Sequence, residues 1–201
     1  MNIKLKGEDF LPDSEASRLV GLLKPFMVSF MQQAGDSLMA DIGSGNVFNV
    51  QMPDIQKWIE WKLNKSASEV IQATKDDLGK ILIQAEQEGW GIQEIADNIT
   101  HLYEETYKHR YRTIARTETA GANNKAILEA GTQAGMTHKV WITALDERTR
   151  EWHAEANGQK VPISENFIVN GEELDQPGDP NGSPENIINC RCVLDYDHEE
   201  G

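Results

Sequence analysis

Apolar residues recur every three or four positions through most of the first two thirds of the chain, the spacing of helices with one buried face. Leu19, Leu22, Leu23, Phe26, Phe30 and Leu38 form the first such set. Asp13 or Ser14 is placed to cap that helix, because a short polar side chain can accept from the free N–H groups of the first turn. Pro25 falls inside the pattern and, with no N–H to donate, predicts a kink or a break near Lys24. Gly43 and Gly45 mark a loop after Asp41. Pro53 suits a first helical turn, and Ile55, Trp58, Ile59 and Leu63 extend it as a short amphipathic helix. Ser66-Ala-Ser-Glu69 has the form of a capping box, so a separate, longer helix is expected to open there with Val70, Ile71, Leu78, Ile81 and Leu82 on its apolar side. Gly89-Trp90-Gly91 ends it. Ile92 to Leu102 reads as another short helix, and Glu104 to Ala134 as a long one that stops at Gly135.

From His138 the period changes. Lys139 to Thr143 alternates and is rich in β-formers, which predicts a strand. Asp146 is placed to cap one or two helical turns reaching about Ala156, stopped by Asn157-Gly158. Lys160-Val161 and Val193 to Tyr196 predict further short strands, with turns at Pro162, Gly171, Pro177-Gly-Asp-Pro180 and Asn181-Gly-Ser-Pro184. Polar residues crowd this part, yet lone apolar anchors punctuate it: Trp141, Val161, Phe167, Ile188 and Val193. The fold class is α+β, mostly α. A helical region, roughly residues 1–136, precedes a small loop-rich α+β part with a few short strands.

Composition changes this picture in two places. The chain of 201 residues carries a net charge of −14, and from Ile142 onward fourteen acidic residues face four basic ones, a balance of −10. Such a surface repels phosphate backbones, which argues against non-specific nucleic-acid binding there. No run of about 18 apolar residues occurs, so no membrane-spanning helix is expected. Met1-Asn-Ile-Lys-Leu-Lys also lacks the apolar core of a secretory signal. The 2 cysteines are separated by one residue, which excludes a disulfide framework and makes reduced thiols in a cytoplasmic setting the default.

Three groups of residues could carry chemistry. Lys108, Arg112 and Arg116 are spaced to place three cations on one helix face, suited to phosphate or to an acidic partner. Glu104, Glu105 and Glu118 could neutralise that stripe, or it could dock on the acidic C-terminal third, and that reading is preferred. In the second group, Asp146, Arg148, Arg150, Glu151 and His153 lie within eight residues. His153 could act as a general base oriented by Glu118 or Asp146. No serine or cysteine sits in a recognisable nucleophile context, so the catalytic set is incomplete and a buried polar network is the preferred reading. Third, His153, Cys190 and Cys192 offer three ligands for zinc, with His138 or an acid needed as a fourth. Cys-x-Cys by itself is a weak metal signal, and no cofactor is expected. Without metal, the two cysteines would alternate along a strand with one packed inward. No phosphate-cradling glycine loop or dinucleotide fingerprint is present.

An ordered set of motifs carries a resemblance. It runs Ala115-Arg116-Thr117-Glu118, Trp141, Asp146-Glu-Arg148-Thr-Arg150 with His153, and Asn157-Gly158-Gln159-Lys-Val161-Pro162. Phe167, Gly171, Pro177-Gly-Asp-Pro180 and Asn189-Cys190-Arg191-Cys192 complete it. Together they resemble the phage Mu protein F-like family, the minor head or head-morphogenesis proteins of tailed phages and prophages. The resemblance covers about Arg112 to Leu194. It implies a domain over 104–201 with its signature at 112–194, leaving 1–103 as a helical arm or partner-docking segment. Arg116, Thr117, Glu118, Trp141, Asp146, Arg148, His153, Gly158, Asn189, Cys190, Arg191 and Cys192 are then structural signature residues.

The resemblance also implies a virion protein of the head interior or portal vertex, made in the bacterial cytoplasm. It would be present in few copies and act in head assembly or in DNA packaging and ejection. Its partners would be the portal and other head or scaffold proteins, with weak contact to packaged DNA, no membrane, and a candidate for self-association. Some relatives are fused to a portal protein or carry toxin domains, so this chain is either a compact member or part of a longer fusion. Some relatives also have Cys-x-x-Cys where this chain has Arg150-Glu-Trp-His153, and with the Cys-Arg-Cys segment that pair would make a four-thiolate zinc site. The change removes at least one ligand. A hydrogen-bonded cluster of Asp146, Arg148, His153 and Arg191 is expected to hold the same loops instead. Against the leading non-enzymatic reading stand a hydrolase or toxin-like enzyme using His153, Glu118 and Arg148, and a DNA-binding head protein using Lys108, Arg112 and Arg116.

Overall fold

The computed structural model of the protein describes residues 11–12 and 14–196, without the side chains of residues 105 and 106. The Asp13 cap and any pairing by Glu105 lie outside the described residues. Four main helices come first: α1 (Ser14–Asp41), α2 (Pro53–Glu88), α3 (Ile92–His101) and α4 (Lys108–Ala134), with a π-helical turn at Leu102–Tyr107 joining the last two. Then follow β1 (His138–Ile142), α5 (Glu151–Glu155), β2 (Lys160–Pro162), β3 (Phe167–Val169), β4 (Glu172–Leu174), α6 (Pro184–Ile187) and β5 (Val193–Tyr196). The expected α+β class, mostly α, is what the chain adopts.

Three helix boundaries differ from expectation, each for a cooperative reason. α1 runs unbroken through Pro25. One missing N–H bond is outweighed by the bonds on either side. α2 absorbs both helices expected on either side of Ser66 in one span of 36 residues. Ser66 is not a cap; its hydroxyl accepts from Lys62 Nζ at 3.0 Å. Asn64, the strongest local helix-ender, turns its amide back on the Glu60 carbonyl at 2.7 Å. The break expected near Tyr103 is instead the π-helical turn, which accommodates an extra residue without ending the helix.

The described residues pack as two units. In one, residues up to Pro25 group with Lys57–Arg112. Ile59, Leu63, Ala67, Leu78, Ala85 and Tyr107 are its buried apolar residues, and Arg110 pairs with Asp77 at 3.3 Å. Tyr107 stacks on Tyr103 within the π-helical turn, with ring centroids 4.7 Å apart.

The other unit combines Phe26–Gln56 with the residues from Thr113 onward. α4 gives it a face of small residues: Gly121, Ala122, Asn124, Ala126, Leu128, Ala130 and Gly131 are buried. The helix ends at Gly135, whose φ of +79° only glycine adopts without strain. Gly135 N–H donates to Thr132 O and Met136 N–H to Gly131 O, which together close the helix end. β1 is central in a three-stranded antiparallel sheet of order β2-β1-β5, with Trp141 opposite Leu194 and Lys139 opposite Val161. β3 and β4 form a hairpin around Asn170-Gly171, where both residues have positive φ. That dipeptide is a strong hairpin signal, and the sequence reading saw only a turn.

The core of this unit is Trp141, Phe167, Val169, Leu174, Leu194 and Tyr196 with Leu128, Ala156, Cys190 and Cys192. Of the anchors expected from sequence, Trp141 and Phe167 are fully buried, whereas Ile188 and Val193 stay 40% and 43% exposed. Lys139 is buried too; its ammonium donates to the Asp175 carboxylate at 2.7 Å and to the Asp175 carbonyl at 2.8 Å, over the face of Phe167. A buried charge is tolerated only when paired in this way.

Candidate functional site

The C-terminal signature is assembled against α4 by backbone groups seeking partners. Thr117 Oγ1 accepts from Asn189 N–H at 3.0 Å, which seats the Asn-Cys-Arg-Cys segment on the helix. Two turns further along, Asn124 is wholly buried. Its Nδ2 donates to the carbonyls of Pro177 and Cys192, both at 3.0 Å, and its Oδ1 accepts from Leu194 N–H at 2.9 Å. Gly121 lies so close to Gly178 that a Cβ on it would stand 2.9 Å from the Gly178 carbonyl oxygen. The Pro177-Gly-Asp-Pro180 turn and the start of β5 are thus both fixed to one helix face. On the opposite side of the sheet, Gly158 N–H donates to Trp141 O at 2.8 Å, and Asn157 Oδ1 accepts from Thr143 N–H at 2.9 Å. The Asn-Gly-Gln segment is therefore stitched to β1.

Within this frame His153 lies on α5, buried, and faces both cysteines. Its Nδ1 is 3.3 Å from Cys192 Sγ and 3.8 Å from Cys190 Sγ. Its Nε2 is 3.4 Å from Asn186 Oδ1. The orientation of Asn186 is set by two other groups: Trp152 Nε1–H donates to the same Oδ1 at 2.8 Å, and Asn186 Nδ2 donates to Val169 O at 3.4 Å. An acceptor oxygen opposite Nε2 requires the proton on Nε2, which leaves the Nδ1 lone pair pointed at the two sulfurs. Cys190 and Cys192 are free and both buried. They lie ahead of β5, so the expected alternation along a strand with one side chain inward does not occur. The pair shares its protons. Cys190 ionises readily because the Cys192 thiol donates to its thiolate, and Cys192 holds its proton in that same bond.

Asp146 stands outside this cluster. Both its oxygens receive the Arg191 guanidinium, and Oδ1 also takes Arg148 N–H at 3.0 Å. The expected single network of Asp146, Arg148, His153 and Arg191 is therefore two groups, because His153 is taken up by Asn186 and the cysteines. The Arg191 contacts hold the Asp146 carboxyl well below the usual carboxylate range. A depressed folded-state pKa means that the contribution of this pair is complete above the ordinary carboxylate pKa and is lost only as pH falls through the lower folded value. In a carboxyl-carbon NMR titration, Asp146 should show no transition near the usual value of about 3.9; Arg191→Gln should bring it back.

Arg116, Arg148, Arg150 and Arg191, with Thr119 and Asn123, line an open cleft of about 940 Å³. Arg150 donates to Ile188 O at 2.5 Å. Lys108, Arg112 and Arg116 are all exposed on their helix. Glu118 is partly buried on α4, and His138 is exposed at the start of β1, bonded to Thr137 at 3.1 Å. His138 is not part of the ligand cluster, so it is not the fourth ligand the sequence reading required.

The family model described as Phage Mu protein F like protein matches residues 76–195. The chain belongs to this family. The match begins inside α2, well before Arg112, where the recognisable motifs start. The chain is 30% identical over 148 residues to NAD(+)--arginine ADP-ribosyltransferase EFV of Enterococcus faecalis, covering 72% of this chain and 29% of that protein. It is 26% identical over 192 residues to YqbB of Bacillus subtilis, covering 92% and 62%. It is 28% identical over 125 residues to Minor head protein GP7 of Bacillus phage SPP1, covering 60% and 40%. The chain therefore spans less than two thirds of the length of each. No solved structure matches it.

In this Mu F-like chain the sequence reading missed Asn124 and Asn186. Both have zero exposure, and both organise backbone or ring partners. A signal existed for the first: asparagine disfavours helix interiors, so Asn123-Asn124 inside a long helical pattern needs a tertiary reason. Asn186 had none, since it sits in a turn where asparagine is ordinary.

Proposed function

We propose that this chain is a minor, capsid-associated structural protein of a tailed phage or prophage, acting in head morphogenesis near the portal and in packaging or ejection of DNA. The observation that carries this reading is the family match over residues 76–195, to which the 28% identity with Minor head protein GP7 adds a relative of stated role. The protein would reside in the virion, at the head interior or portal vertex, and in the bacterial cytoplasm during assembly. No helix among the described residues is long and apolar enough to cross a membrane. The test is co-expression with the portal and scaffold proteins encoded beside it. Co-purification with the portal and incorporation into proheads are expected; absence from both overturns the reading.

The reading is non-enzymatic. A base at His153 would need access to substrate and an orienting carboxylate, yet His153 is buried, its ring nitrogens face Asn186 and two thiols, and Asp146 is bound to Arg191. Arginine ADP-ribosylation is what the name of one relative states of a protein of which this chain spans 29%.

The arginine cleft favours one addition, contact with the phosphates of packaged DNA through Arg116, Arg148 and Arg150. Affinity should fall linearly in log–log salt titrations, and Arg116→Gln with Arg148→Gln should reduce the slope by about 2, one per lost phosphate contact. No binding even at low salt eliminates this addition without touching the head-protein reading.

A further inference from the structure

We propose that His153 Nδ1, Cys190 Sγ and Cys192 Sγ bind a zinc ion that fastens the segment leading into β5 to α5. The three ligand atoms lie within 4.8 Å of one another, and all three residues are buried. With Zn–S near 2.3 Å and Zn–N near 2.0–2.1 Å, the ligand–ligand edges of a tetrahedral site are about 3.5 Å for N to S. The two observed N···S separations, 3.3 and 3.8 Å, straddle that edge. A thiol donating to imidazole accounts for the shorter one; it gives no reason for the second sulfur to be brought to the same nitrogen.

The surroundings supply what metal ligands need from their neighbours. Asn186, itself locked by Trp152 and Val169, fixes the His153 tautomer so that Nδ1 is the free lone pair, the usual arrangement behind a metal-bound imidazole. Trp141 Nε1 is buried with no hydrogen-bond partner of ordinary length. A buried N–H is rarely left without an acceptor, and a metal-bound thiolate is a strong one. Beside His153 and Cys192 lies a cavity of about 10 Å³ reached by Arg148, Arg150 and Arg191. That is room for about one water-sized ligand. Two thiolates balance the charge of the ion, and the guanidiniums offset the cost of forming both thiolates. Three protein ligands and one small ligand complete a four-coordinate site.

This inference is independent of the head-protein reading, and its test reads metal directly. The full chain, purified without chelator or added metal, should carry about one zinc per molecule by elemental analysis. Apo protein titrated with cobalt(II) should show sulfur-to-cobalt charge-transfer absorption and the visible bands of tetrahedral geometry at one equivalent. Cys190→Ser, Cys192→Ser and His153→Gln should each abolish those bands. Asn186→Leu, which leaves the three ligands in place, should weaken binding about 10–100-fold. If folded wild-type apo protein develops no cobalt–thiolate absorption, the proposal is wrong, whatever the variants do. Retention of a full zinc equivalent by Cys192→Ser would overturn it equally.

Discussion

Replacing Asn124 with leucine should cost more stability than any other single polar substitution in the chain. The side chain has zero exposure and makes three hydrogen bonds, to Pro177 O, Cys192 O and Leu194 N–H. Leucine fills the same space but leaves all three backbone groups buried and unpaired. An unsatisfied buried group costs about 1–3 kcal/mol, so the three together should cost roughly 3–6 kcal/mol. Native stability of about 5–15 kcal/mol makes that a large fraction of the whole. Asn124→Asp should not rescue the loss, because it keeps the acceptor for Leu194 while placing a negative charge against two carbonyl oxygens. The measurement is native-state hydrogen exchange, which resolves units that do not unfold together. Protection at Leu194 and the rest of β5 should collapse in Asn124→Leu, while amides in the middle of α2 keep theirs. A loss at β5 of less than about 1 kcal/mol would show that water or a shifted backbone replaces all three bonds.

That asparagine also marks the limit of what could be read from the chain. Periodicity located the helices, because a buried stripe must repeat at the helical spacing, and it located β1 and β5 because a half-buried strand must alternate. It could not locate helix boundaries at Ser66 and Tyr103. A capping box states what a helix start would gain, not whether one is needed, and nothing in the Leu63–Ser66 stretch forces the helix to end. The β3–β4 hairpin was legible in Asn170-Gly171, whose positive φ values match the turn the dipeptide favours. The candidate site was half legible. His153, Cys190 and Cys192 stood out by residue type, and Asp146 with Arg191 by charge. What joins the first three is orientation: the direction of Nδ1 depends on Asn186 and Trp152, which come together only once α6 packs beside α5. Counting ligands against a four-cysteine pattern cannot show which way the histidine points, and that Nδ1 faces both sulfurs is visible only in the fold.

Gly131→Ala should destabilise the chain even though it improves a helix. In an exposed helix interior the change gains about 1 kcal/mol, because alanine loses less backbone freedom on folding. Here the new Cβ would stand 2.0 Å from Tyr196 Cζ and 2.1 Å from its hydroxyl oxygen, well inside contact distance. The ring is 2% exposed and its hydroxyl donates to Ile127 O at 3.0 Å, shared with Leu128 O at 3.2 Å, so it has nowhere to move within the core. Expelling a buried aromatic ring costs about 3–5 kcal/mol on the scale of large-to-small core substitutions. The clash therefore wins over propensity by roughly 2–4 kcal/mol. A double-mutant cycle separates this cause from a general weakening of α4. Tyr196→Leu alone should be costly, but adding Gly131→Ala to it should cost little or even stabilise, because the ring that clashed is gone. Tyr196→Phe should give no such relief, since the ring carbons alone already occupy the space. If the two substitutions instead add, the glycine is there for the helix backbone and not for the tyrosine.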